Sequence, residues 1–223
     1  MASYVSQSDI GSTNSSSDPA VFTMPTVTLE ADDFLVALLA VRGGDTTIIN
    51  SPSTGWTKPS EGVSGNVTAA PVYKKWASGD SLSVDLDIAR KWAGGIMAFR
   101  GVDTISPISA WAGPLANASS LVRTAPAVTP AHDGTMIAVL IASQGESVGT
   151  PTSPTFNQRL YLAASSGSNV SVVLGNEPGT AAGVSTGTNT TTYGTNTNAS
   201  VGYTFALKSA DAQDIEFLGF IPL

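Results

Sequence analysis

Cysteine is missing from this chain of 223 residues, and histidine occurs once. Without cysteine there is no disulfide framework, no thiolate nucleophile and no sulfur ligand for a metal. A zinc site built around a single histidine would need mostly carboxylate ligands, which zinc rarely uses. Charge is scarce too: 12% of residues are Asp, Glu, Lys or Arg, about half the ~25% usual for soluble domains. The balance is acidic, with a net charge of −7, so phosphate backbones are repelled and no nucleic-acid partner is expected. The basic pairs Lys74-Lys75 and Arg90-Lys91 are too short to reverse this. No apolar run approaches the roughly 18 residues that span a bilayer, so no membrane partner is expected either. The start, Met-Ala-Ser-Tyr-Val, has no basic and apolar leader pattern, so no secretory signal is expected. No stretch carries a capped 3.6-residue period, so helices are not expected.

What remains is a surface of Ser, Thr, Asn, Gly and Ala around short apolar segments. The longest, residues 34–41, reads as a strand buried on both faces or in a sandwich core. Residues 81–88 alternate: Leu82, Val84, Leu86 and Ile88 are expected in the core, with Asp85 and Asp87 in solvent. Turn signals such as Gly43-Gly44-Asp45 and Ser78-Gly79-Asp80 separate the strands. This pattern predicts an all-β protein, a jelly-roll-like β-sandwich.

The second half of the sequence resembles the first. Asp33 and Asp133 each precede an apolar strand, and Trp56 and Phe156 each end a Pro/Thr/Ser-rich loop, in both cases 100 residues apart. Gly95-Ile96-Met97-Ala98-Phe99-Arg100 and Gly202-Tyr203-Thr204-Phe205-Ala206-Leu207-Lys208 then look alike. A weak internal repeat follows. It sets an arm at 1–20, a sandwich at 21–208 with halves 21–102 and 128–208, an extended linker at 103–127 bearing Pro107, Pro114 and Pro126, and an apolar tail at 209–223. Leu38 and Val139 are expected to be buried at equivalent places.

Chemical signals are few. His132, ahead of Asp133-Gly134, reads as a turn more readily than as part of a Ser-His-Asp set. Asp32-Asp33, Asp45, Asp85 and Asp87 could be offered to calcium, yet carboxylates on a strand usually form a solvated face. No catalytic, metal or cofactor site is expected, and no enzyme activity. Trp56 reads as a core plug and Trp76, beside Lys74-Lys75, as the candidate exposed aromatic. The end of the chain places Phe217, Leu218, Phe220, Ile221 and Leu223 close together, and these are the candidate partner-docking residues.

One set of segments resembles a known family. It comprises Asp33-Phe34-Leu35-Val36-Ala37, Thr54-Gly55-Trp56-Thr57, Val72-Tyr73-Lys74-Lys75-Trp76-Ala77 and Ala93-Gly94-Gly95-Ile96-Met97-Ala98-Phe99-Arg100-Gly101-Val102-Asp103 with Pro107 after it. Over about residues 30–108 this is similar to a β-sandwich module of tailed-bacteriophage virion proteins and some bacterial surface proteins. The Ala-Phe-Arg-Gly-Val-Asp segment is its most specific part. The resemblance implies an accessory structural protein of the virion, made in the host cytoplasm, of capsid-decoration or minor-tail type. Its implied partners are other virion proteins and further copies of itself. The alternative is a carbohydrate-binding or adhesin module for a host surface glycan; a hydrolase ranks third.

Overall fold

The computed structural model describes residues 1–7, 17–25, 28–45, 48–145, 151–152, 154–164, 169–193 and 197–210. These residues form strands, turns and loops, with no helix among them. In chain order the strands are β1 (Ser3–Gln7), β2 (Ala20–Phe22), β3 (Phe34–Arg42), β4 (Ile49–Pro52), β5 (Gly62–Ser64), β6 (Val67–Lys75), β7 (Leu82–Leu86) and β8 (Trp92–Arg100). They continue as β9 (Ile108–Ser120), β10 (Val122–Ala125), β11 (Met136–Gln144), β12 (Asn157–Ala163), β13 (Val170–Pro178), β14 (Asn189–Thr192) and β15 (Asn198–Leu207).

Two five-stranded antiparallel sheets carry the molecule, in the orders β1-β8-β3-β6-β5 and β12-β13-β11-β15-β9. A three-stranded sheet, β2-β7-β4, covers the outer face of the first, and the pair β10-β14 covers the outer face of the second. The result is four layers around three cores. Phe34, Val36, Leu38 and Ala40 of β3 meet Ala138, Leu140 and Ala142 of β11 in the central core. Leu35, Ala37, Leu39 and Val41 point the other way, toward Phe22, Leu82, Val84 and Trp92. This is why the 34–41 run has no polar side: both of its faces are interior.

The repeat is visible in the topology. β3 lies between β8 and β6, and β11 lies between β15 and β13. β1 edges the first sheet beside β8, as β9 edges the second beside β15. β2 pairs with β7, as β10 pairs with β14. Each half is therefore nested in the same order. Contacts between the halves are reciprocal: β8 lies against β12 and β13, while β15 lies against β5 and β6. An interface in which i touches j and j touches i is the signature of a two-fold axis. Here the axis is internal.

Several expectations change. Leu38 and Val139 are both buried, but they face opposite cores; the residue in the place of Leu38 is Leu140. A one-residue slip in a period of two moves a side chain to the other face. Residues 103–127 are no linker, because they contain β9 and β10, which belong to the second half. Pro114 is accommodated because β9 is an edge strand interrupted by three register shifts. Of the arm at 1–20, Ser3–Gln7 is edge strand β1 and Ala20 begins β2. Leu82, Val84 and Leu86 are buried and Asp85 and Asp87 exposed, as the alternation predicts. Ile88 is 60% exposed, however. Asp87 accepts the Ile88 amide and holds Arg90 through both carboxylate oxygens, and this ends the alternation in a turn.

Close approach of the layers explains the adjacent glycines. A Cβ on Gly94 would lie 2.6 Å from the Phe22 ring on the outer face, and one on Gly95 would lie 2.1 Å from Leu160 Cδ2 on the inner face. At the reciprocal crossing the sizes are exchanged. Gly62 of β5 makes room for Tyr203 of β15, whose hydroxyl donates to the Ala69 carbonyl across the seam at 2.7 Å.

Candidate functional site

The resemblance-bearing residues are architectural. Arg100 donates from Nε and Nη2 to the two carboxylate oxygens of Asp33, 2.9 Å each, and from Nη1 to Glu30 at 2.7 Å. Hydrogen bonding to Asp33 raises the Arg100 pKa further. Asp33 is 1% exposed, and its Oδ2 also accepts the Glu30 amide, so one buried carboxylate ties a turn to the end of β8. Gly101 then takes φ +70°, a conformation suited to glycine, and buried Val102 bridges to Ser209.

Concavity lies elsewhere, at one end of the seam between the halves. The first half contributes the end of β3 (Arg42, Gly43), Asn66 before β6, and the turn Ile88–Lys91 before β8. The second contributes Gln144 at the end of β11, Gly145, and Asn169 before β13. The cleft has two adjoining lobes of about 390 and 140 Å³ that share Arg42 and Asn66; the larger is lined by the first half alone and the smaller by both. Its lining is built in pairs. Arg42 pairs with Val67 as Gln144 pairs with Val170, and Asn66 and Asn169 are the residues just before those partners. The Gly43 amide donates to the Asn66 carbonyl at 3.0 Å, as the Gly145 amide donates to the Asn169 carbonyl at 2.5 Å. The cleft therefore straddles the internal two-fold, and the Gln144 carboxamide closes it by accepting the Asn66 amide at 2.9 Å. Asn169 is 4% exposed, and its Oδ1 has no hydrogen-bond partner among the described residues.

The halves differ in what surrounds these pairs. The first adds Arg90 and Lys91 to Arg42, whereas the second offers carboxamides and backbone. Asp87 holds Arg90 in a bidentate pair, with the Arg90 hydrogen bond keeping the Asp87 carboxyl down at about 2. Asp45 adds a second negative charge close to Arg90. The sequence marks Gly43 and Gly145 as turns, and Asn66 as the start of an Asn-X-Thr triplet, but does not by itself bring Asn66 and Asn169 together. The repeated Asn66-Val67 and Asn169-Val170 was the available signal.

A second polar feature is buried in the outer core of the second half. Ser171, Ser143 and Ser200 form a rank across β13, β11 and β15, all buried, with Ser171 and Ser143 next to the Tyr193 phenol. Above them Arg123 is fully buried, its guanidinium carbon 3.5 Å from the centre of the Tyr193 ring. Burial pushes the Tyr193 phenol up. In the first half Val41 and Trp92 stand where Ser143 and Ser200 stand here.

Trp56 is buried, its indole donating to the Ser81 carbonyl at 2.9 Å. Trp76 is half-buried against the first outer core; the tryptophan 40% exposed is Trp111, stacked on Phe205. His132 lies in a turn with Nδ1 3.0 Å from Ser109 Oγ, while the Asp133 carboxylate accepts the Ala182 amide instead. Asp32 pairs with Lys75, Asp33 with Arg100 and Asp87 with Arg90. Among the described residues no group of three or more His, Asp or Glu side chains is placed to hold a metal ion. Phe217, Leu218, Phe220, Ile221 and Leu223 lie outside the described residues. The chain matches no family model, no curated protein and no solved structure.

Proposed function

We propose that this chain is an accessory structural protein of a bacteriophage particle, of capsid-decoration or minor-tail type, acting by contacts between subunits and not by catalysis. The observation that carries the reading is the use made of the resemblance-bearing segments. Asp33, Gly94, Gly95 and Arg100 all serve to lock strands and let layers approach closely, as expected of a module whose task is to be a rigid block. The nested strand order of each half fits a jelly-roll-like sandwich, and two such units fused through their inner sheets leave outer sheets and strand edges for neighbours. A surface poor in charge lowers the desolvation cost of packing against other subunits. In this reading residues 214–223 dock on a virion neighbour or a second copy. Deleting them should leave the melting temperature unchanged and abolish incorporation into particles. Normal incorporation would rule docking out, and a collapsed melting temperature would mean that the tail belongs to its own sandwich.

The second reading, a carbohydrate-binding or adhesin module, is favoured by the amide-lined cleft on the seam.

A further inference from the structure

We infer that this protein associates with a second copy of itself by exchanging halves: the connector 103–107 opens, and the first half of each copy packs against the second half of the other. The partner surface is the seam itself, whatever particle the chain belongs to. The chain passes from the first half to the second through these five residues, and among the described strands no sheet draws from both halves. Parting the halves therefore breaks no ladder between strands. It does uncover Phe34, Val36, Leu38 and Ala40 on one side and Ala138, Leu140 and Ala142 on the other, all 3% exposed or less when joined. Leaving such faces in water is unfavourable, and a second copy offers each of them the complementary face. Sizes decide the pairing. Gly95 receives Leu160, and Gly62 makes room for Tyr203, so a first half fits a second half. Two copies that exchange halves make two seams of this kind and close as a dimer. Backbone hydrogen bonds between the halves, the Asp103 amide donating to the Lys208 carbonyl and the Ala210 amide to the Gly101 carbonyl, re-form between copies. Extended, the connector spans at most roughly 18 Å, and short hinge loops favour exchange. In the closed form one carboxylate bends it. Asp103 Oδ1 accepts the Ile105 and Ser106 amides at 2.8 and 2.9 Å, and Oδ2 lies 3.5 Å from Lys208 Nζ. The turn leaves Ile105 94% exposed at its tip. Asp103 is thus the latch of the closed form. Closed and exchanged forms share every seam contact, so the balance between them is set by this turn and by how close together the copies are held.

The test uses two full-length variants, Gly95→Ala and Leu160→Ala, unfolded together in urea and refolded at high concentration. Each alone carries a defect in its seam. In an exchanged mixed dimer one seam holds both substitutions, which relieve one another, and the other seam holds neither. Light scattering should show a species of twice the chain mass, and native mass spectrometry should find one chain of each kind in it. That dimer should melt a few degrees above either variant refolded alone. If neither variant folds alone, recovery of folded dimer from the mixture alone gives the same answer. In the otherwise unaltered chain, Asp103→Ala should strengthen dimerisation about tenfold, because only the closed turn makes the two amide hydrogen bonds that are lost. A mixture that stays monomeric would overturn the exchange. So would a dimer that melts no higher than the variants, because docking side by side leaves both seams defective. An Asp103→Ala chain no more dimeric than the original would overturn the latch.

Discussion

Replacing Gly95 by alanine tests how the two halves are joined. The added Cβ would sit 2.1 Å from Leu160 Cδ2, with the next contacts, Leu160 Cγ and Leu162 Cδ1, at 3.6 Å. The clash is thus with the end of one side chain, but Leu160 is only 7% exposed and has little room to yield. Overpacking of this kind typically costs about 1–3 kcal/mol, offset by roughly 0.5–1 kcal/mol from removing a strand glycine. Leu160→Ala alone opens a cavity and should cost about 2–5 kcal/mol. Together the two changes relieve one another, because the new methyl enters the space the leucine vacates. The double variant should then be more stable than the sum of the single losses predicts, by roughly 1 kcal/mol or more. Gly62→Ala should be worse than Gly95→Ala. Its Cβ would meet Pro114, Val201 and the Tyr203 hydroxyl at 2.3, 2.8 and 2.9 Å, and the proline ring cannot turn away. Urea denaturation followed by intrinsic fluorescence gives all these values, with unchanged m showing that the folded and unfolded states stay comparable. Additive losses in the double variant, or a neutral Gly62→Ala, would refute the seam as described. The exchange of sizes has a corollary: two first halves would set Gly95 against Gly62, and two second halves Tyr203 against Leu162. Each half therefore fits the other better than it fits itself.

Other consequences can be read with the same instruments. Leu86→Ala should cost about 2–5 kcal/mol because Leu86 is 4% exposed, while Asp85→Ala on the exposed face should cost about 0.5 kcal/mol or less; equal losses would contradict the register of β7. The Asp87 carboxyl should titrate near 2 by NMR and rise toward the ordinary range in Arg90→Ala, with the Ile88 amide still holding it down in part. Because its folded value is depressed, the stability it adds is present above the unfolded carboxylate range and disappears as pH falls through the folded value; an ordinary titration in the unaltered chain would contradict the bidentate pair. Arg100→Ala strands the Asp33 carboxylate in the interior. It should lower the melting temperature more than Lys75→Ala, which breaks an exposed pair.

The sequence speaks most clearly where burial is complete. The run at 34–41 reads as a buried strand, and its two faces are indeed both interior, while Trp56 and Phe156 lie in corresponding outer cores. It is ambiguous where faces are mixed. β9 alternates half-buried with exposed residues and carries a proline, so it looks like a linker although it is an edge strand. Ile88 continues an apolar alternation that the Asp87–Arg90 pair cuts short. The equivalence of Leu38 with Leu140 and not Val139 depends on pairing partners, which apolar runs in themselves do not encode. The cleft was legible only as two Asn-Val pairs, because its concavity arises from sheet ends that are distant in the chain.

The most direct measurement of the proposed virion role is quantitative mass spectrometry of nuclease-treated particles purified from phage-producing cells that express this chain, compared with the cell lysate. The structural reading predicts that the chain copurifies with the major particle proteins at a fixed, reproducible ratio through successive density gradients. Abundance in the lysate with no enrichment in the particles would contradict it.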